Sequence, residues 1–296
     1  MSIVNETDVA AVSAELQKLQ KQRVWLLKTR NMQMNRLRAS VAGRIGYTTG
    51  LSESERKKIF VQAEALILQI HEDTIKVDDV FLGIMVMTTY PGIQAQDDMK
   101  DQIEVEMKGL AKTLPIVSWL GEPEQKGFGL LMLAKVIGEC GDLRNYANPA
   151  KVWRRMGCAP YTKDGVTQMG STWKRSNKKG SSLHKSDWTE FGYSPRRRSE
   201  AFLIGDGIVK QNGEGPYRQR YDSAKVKSKE KHPEWWICPT CKGSKLSATG
   251  KKCSYCKGTG EVKMHGHLHA MLLATKMLLK NLWIEWNDHP EYTPDW

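Results

Sequence analysis

Along the first 112 residues the apolar positions recur at helical spacing. Leu16, Leu19, Leu27, Met34, Leu37 and Val41 stand three, four or seven to eight residues apart, and Lys18, Lys21, Arg23, Lys28, Arg30, Arg36 and Arg38 occupy the other faces. This predicts one long helix over 12–44, a coiled-coil-like basic arm within residues 1–50. Ser52 and Glu55 have the spacing of a capping box, in which the serine oxygen accepts a first-turn N–H and the glutamate bonds back. The helix they open carries Ile59, Ala63, Leu66, Ile67 and Ile70 on one face. A third helix is expected over 80–88, ended by Pro91-Gly92, because proline removes a helical N–H and clashes with the preceding turn. A fourth is expected on Met99, Ile103, Met107 and Leu110. Residues 51–112 thus read as a helical region, and the acids of 51–150 are expected on solvated faces.

The texture changes over 113–231. An apolar helix at 114–120, a polar turn with Gly127-Phe128-Gly129, and a second helix with Leu130, Leu133, Ala134 and Ile137 give a helix-hairpin-helix-like pattern. Such a turn can present backbone N–H groups to a phosphate, which makes Lys126, Gly127 and Gly129 candidate contacts; a plain tight loop is the alternative. Asn148 is placed to cap, and Pro149 to open, a helix over 150–156 with Trp153, Arg154 and Arg155. From Thr162 to Asp187 the periodicity is lost, and an extended loop that orders on its ligand is expected. A closing helix is expected over 263–286, within a terminal segment 263–296. His265, His267 and His269 on it are expected to meet solvent or phosphate.

Charge adds a partner. The net charge is +12, but residues 1–50 hold 8 Lys/Arg against 3 Asp/Glu, 51–150 hold 10 against 16, 151–231 hold 19 against 8, and 232–296 hold 8 against 6. The excess is therefore concentrated in one segment, interleaved with Trp, Tyr and Gly. Clustered cations attract a polyanion because each neutralised phosphate releases condensed counterions. The candidate nucleic-acid contacts there are Arg154, Arg155, Lys174, Arg175, Lys178, Lys179, Arg196, Arg197 and Arg198. No apolar run approaches the roughly 20 residues of a membrane span, and Met1–Ala10 lacks the apolar stretch of a signal peptide. A cytoplasmic, nucleoid-associated protein with no membrane partner is expected.

Two copies of CxxCKG, at Cys238–Gly243 and Cys253–Gly258, predict a zinc ribbon over 232–262. Each pair reaches one ion from a tight turn, four thiolates in tetrahedral geometry select zinc, with iron as the minority reading, and a closed shell makes the metal structural. The ribbon resembles the cysteine modules of DnaJ-type chaperones over too short a span to imply a chaperone. Cys140 and Cys158 follow apolar stretches and are expected in the core.

Several segments in order, Arg23–Leu37, Leu114–Gly129, Ile137–Pro160, Tyr193–Lys227 and His265–Trp286, resemble one family. The motif Gly141-Asp142-x-x-x-Tyr146-x-Asn148-Pro149 followed by Met156-Gly157-x-x-Pro160 is its most specific part. The family is that of the insertion-sequence one-ten/one-sixteen/nine-oh-two transposases, the RNA-guided bridge recombinases, and the match covers about two thirds of the chain. The resemblance implies a helical arm, a C-terminal domain bearing a serine nucleophile that joins covalently to DNA, and a separate ribonuclease-H-like domain whose four acids bind magnesium. Nothing in residues 1–11 can replace that acidic domain, so it is expected to be absent here, with magnesium relevant only if another polypeptide supplies it. The ribbon is a second departure, inserted ahead of the final helix.

Ser194, in Gly192-Tyr193-Ser194-Pro195-Arg196-Arg197-Arg198, is the first candidate nucleophile, since a helix N-terminus and three arginines would favour an alkoxide and hold a phosphate. A helix-entry cap is its competing role, and Ser176 in a Lys/Gly-rich context is its rival as nucleophile. The expectation is a mainly α protein with a coiled-coil arm, a helix-hairpin-helix-like transposase domain over 113–231 and an inserted zinc ribbon. Its partners would be DNA, or a structured RNA, and a second copy of itself through the arm. Strand exchange through the serine, and binding without cutting by a domesticated or phage-borne relic, both stand as functions; assembly of a virion or scaffold is the third.

Overall fold

The computed structural model describes residues 6–75, 78–122, 126–163, 165–169, 192–211, 215–247, 249–262 and 264–288. The protein is mainly α. The helices are α1 (Glu6–Arg44), α2 (Glu53–His71), α3 (Val80–Ala111), α4 (Val117–Leu120), α5 (Leu130–Cys140), α6 (Pro149–Arg155), α7 (Pro195–Val209), α8 (Pro216–Lys231) and α9 (Met264–Asn287). None among the described residues is long and apolar enough to cross a membrane. The chain divides into two compact units, residues 18–109 and residues 1–17 with 110–296.

In the first unit, Met34, Leu37, Val41 and Ala42 of α1 bury against Ala63, Ile67 and Ile70 of α2 and Leu82, Val86 and Ile93 of α3. The apolar stripe of the arm is therefore covered by helices of the same chain. Ser52 and Glu55 form the expected reciprocal cap at the start of α2. The charges also find each other. Arg23 pairs with Glu104 at 2.6 Å, Arg30 with Asp97 at 3.0 Å, Arg44 with Asp79 at 2.6 Å, and Arg38 with Glu64. This corrects the expectation that the acids of 51–150 face solvent: Glu64, Asp79, Asp97 and Glu104 pair with four arginines of α1.

A second correction concerns Pro91. The chain does not break there, and α3 runs unbroken to Ala111 with Pro91 inside it. An internal proline costs about 3 kcal/mol. Here the ring sits on the exposed side, while Leu82, Val86 and Ile93 keep one inward stripe across it. Burial of that stripe outweighs the missing hydrogen bond.

In the second unit, α9 is the central helix, burying Ala270, Met271, Ala274, Leu278, Leu279, Leu282 and Trp283 and packing on α6, α7 and α8. Indole N–H groups tie it to the 142–153 segment. Trp283 donates to the Tyr146 carbonyl at 2.8 Å, Trp286 to Asp142 Oδ1 at 2.9 Å, and Trp153 to the Lys276 carbonyl at 2.9 Å. Asn148 caps α6 through the Lys151 N–H, with Pro149 at its first position. Where an extended loop was expected from Thr162 onward, residues 160–169 form an antiparallel hairpin, β1 (Pro160–Lys163) with β2 (Val166–Met169), Thr162 opposite Thr167.

Glycines set two close approaches. The backbone of Gly127 lies on that of Gly207 in α7, so closely that a Cβ on Gly207 would stand 2.6 Å from the Gly127 carbonyl oxygen. Gly266 in α9 faces the Trp236 ring, which an added Cβ would overlap. Gly266→Ala should destabilise this unit by about 1–3 kcal/mol, as overpacking does. A lowered thermal midpoint together with altered tryptophan fluorescence would bear this out; an unchanged midpoint would not.

Candidate metal centre and cationic cluster

The four cysteines of the two knuckles come together. Cys238, Cys241, Cys253 and Cys256 are buried, and their sulfurs all lie within 4.8 Å of one another. Cys238 Sγ is 3.9 Å from Cys253 Sγ, and Cys241 Sγ is 3.6 Å from Cys256 Sγ. A disulfide needs about 2.05 Å, whereas four sulfurs each about 2.3 Å from one tetrahedral ion stand roughly 3.8 Å apart. The donor set fits a metal ion.

The two knuckles share their backbone turn at the Lys-Gly pair. Lys242 and Lys257 take positive φ of 48° and 52°, and Gly243 and Gly258 follow at 88° and 77°. The Lys242 N–H reaches the Cys238 carbonyl at 2.8 Å and the Gly258 N–H reaches the Cys253 carbonyl at 3.1 Å. The Gly260 N–H donates to Cys256 Sγ at 3.3 Å. Desolvation pushes the Cys256 thiol up, but that bond and neighbouring thiols outweigh it and bring it down to about 6. Thiolate, the form that ligates metal, is favoured there. Cys140 and Cys158 are buried apart from this set, and burial raises Cys140 to about 12.

The second candidate surrounds Glu139, whose side chain is only 2% exposed. Arg196 binds its carboxylate with both terminal nitrogens, Arg197 Nε donates to Oε2 at 3.3 Å, and Arg155 Nε donates to the Glu139 main-chain carbonyl at 3.1 Å. Arg198 reaches Cys158 Sγ at 3.7 Å. Burial first, and the neighbouring charge of Arg155 second, pull the Arg197 guanidinium below its usual value. Tyr161 and Tyr193 stack edge to face beside them at 5.5 Å. Comparison with protein-family models, curated proteins and solved structures finds no match to this chain.

The sequence-predicted residues distribute as follows. Ser194 is the N-cap of α7, its Oγ accepting the Arg197 N–H at 3.5 Å. Arg155, Arg196 and Arg197 meet at Glu139, while Arg154 is exposed and lies over the Tyr161 ring. Lys126 and Gly129 flank Phe128 ahead of α5, and Gly127 is taken up by packing on Gly207 rather than opening toward solvent. Lys174, Arg175, Ser176, Lys178 and Lys179 lie outside the described residues. Of the three histidines expected to meet solvent or phosphate, His267 bonds the Tyr221 hydroxyl at 2.7 Å, and His265 and His269 both face Trp235.

Sequence reasoning missed Glu139. Its signal was present: Lys135 and Glu139, four apart, interrupt an otherwise apolar helix and are both buried. A charge carried into a core needs a partner.

Proposed function

We propose that the chain is a nucleic-acid-binding protein of transposase ancestry, DNA being its first ligand, held in shape by a structural zinc ion on Cys238, Cys241, Cys253 and Cys256. The observation that carries this is the gathering of four guanidiniums at the N-terminus of a 15-residue helix: Arg196 and Arg197 on the Glu139 carboxylate, Arg155 on the Glu139 main-chain carbonyl and Arg198 on Cys158 Sγ. A phosphodiester oxygen relieves their mutual repulsion and meets the positive end of α7. Four of the five segments of the resemblance, Leu114–Gly129, Ile137–Pro160, Tyr193–Lys227 and His265–Trp286, fall in one unit, and the fifth, Arg23–Leu37, falls in the other. Zinc follows from the four-thiolate set, which soft borderline ions prefer and which leaves no open position for substrate.

The test is fluorescence anisotropy of the metal-loaded chain with duplex DNA and with structured RNA, across a salt series. Binding should weaken with salt. Arg155→Gln, which leaves the Glu139 carboxylate paired, should lower the slope of log K against log salt by about 0.9. An unchanged slope would remove Arg155 from the interface, and no binding to either ligand in dilute buffer would end the reading.

Strand exchange through Ser194 is the second reading, favoured by the position of its Oγ beside these arginines, with magnesium held by an acidic domain of another polypeptide. It requires a protein–DNA adduct that survives denaturation and is lost in Ser194→Ala. That variant also removes the α7 cap, at about 1 kcal/mol, so its stability is to be measured alongside.

A further inference from the structure

The metal ribbon has a chemistry that its scaffolding role does not use. Residues 237–262 contain five lysines, Lys242, Lys245, Lys251, Lys252 and Lys257, against one acid, Glu261. All five are exposed. Glu261 is already paired, with Lys229 of α8 at 3.2 Å.

Three of these lysines stand at one end of the ribbon. The stem of Lys252 lies against Gly258 and that of Lys245 against Gly260, where a Cβ would meet them at 2.6 Å and 3.1 Å. Lys257 belongs to the same loop. Tyr255, three residues after Lys252 and two before Lys257, is 58% exposed, its ring without a stacking partner among the described residues. Lys242, Lys245 and Lys257 all take positive φ, a conformation where glycine is the unstrained choice.

We infer that this end of the ribbon binds an unpaired polynucleotide strand, a base stacking on Tyr255 while Lys245, Lys252 and Lys257 hold the flanking phosphates. A strand is favoured over a duplex because an exposed ring takes only a base freed from its own stack, and the ribbon offers no helix to enter a groove. The inference rests on the nucleic-acid reading above but assigns a different surface and a different form of ligand.

The experiment uses the full metal-loaded chain with 15-nucleotide oligo-dT, oligo-U and a blunt 15-bp duplex. Tyr255→Ala should weaken binding of the single strands roughly ten- to hundredfold, with duplex affinity unchanged and Tyr255→Phe close to wild type. Glutamine at the three lysines together should lower the single-strand salt slope by about 2. Ultraviolet crosslinking of the wild type should place the adduct on 254–258, a readout independent of how any variant folds. Unchanged single-strand affinity in Tyr255→Ala, an equal loss on the duplex, or crosslinks elsewhere would overturn the inference and leave the arginine cluster standing. Failure of the wild type to bind any of the three probes would remove both.

Discussion

Cys253→Ser should release the metal and unfold residues 237–262 while the helices stay folded. Little else holds this segment. Its buried cluster consists of the four cysteines, with Val262 the one partly buried apolar side chain against them. Its strand pairing among the described residues is two isolated bridges, Ile237 with Glu261 and Leu246 with Lys252. Metal binding to such a segment is its folding energy, on the order of 10–16 kcal/mol apparent in comparable peptides. The core of α9 with α6, α7 and α8 draws on other residues. Metal analysis should give one ion per wild-type chain and a large loss in the variant. Amide exchange should accelerate at Cys238 and Gly258, whose N–H groups bond within the ribbon, with far-ultraviolet helicity nearly intact. A metal-free wild type with protected amides would refute this account.

Glu139→Ala should be the most damaging single change outside the ribbon. It strips the shared partner from Arg196 and Arg197, of which Arg197 is 17% exposed at its side chain. Breaking a buried ion pair from one side costs about 3–5 kcal/mol because the remaining charge is stranded. With Arg196 38% exposed and able to reach water, about 3 kcal/mol is the expected loss. Arg196→Ala should cost less, since Arg197 still answers the carboxylate. Denaturant midpoints read both, and the ordering should persist in high salt, which screens buried pairs little. Equal midpoints for Glu139→Ala and wild type would show that the arginines do not depend on it.

These two sites differ in how far the sequence announces them. The ribbon is legible because a metal site needs fixed residue types at fixed local spacing, and the α2 and α6 caps are legible for the same reason: Ser52 with Glu55, and Asn148 with Pro149, act within one helical turn. Glu139 and its arginines are 57 and 58 residues apart, so only folding reveals the pairing. Pro91 misleads because a local rule was outweighed by burial on the opposite side of the helix. The hairpin at 160–169 had a local signal in Asp164-Gly165 between Thr162 and Val166, masked by the lysine- and glycine-rich stretch that follows. The ion pairs of the arm are not legible locally because the partners Glu104, Asp97, Glu64 and Asp79 lie one or two helices away.

The ribbon leaves the chain where it joins it. Ile237 faces Glu261, and the Val262 N–H returns to the Trp236 carbonyl at 2.8 Å. Such a doorway lets a whole cassette be lifted out, or exchanged for another, with only a few residues of splice between α8 and α9.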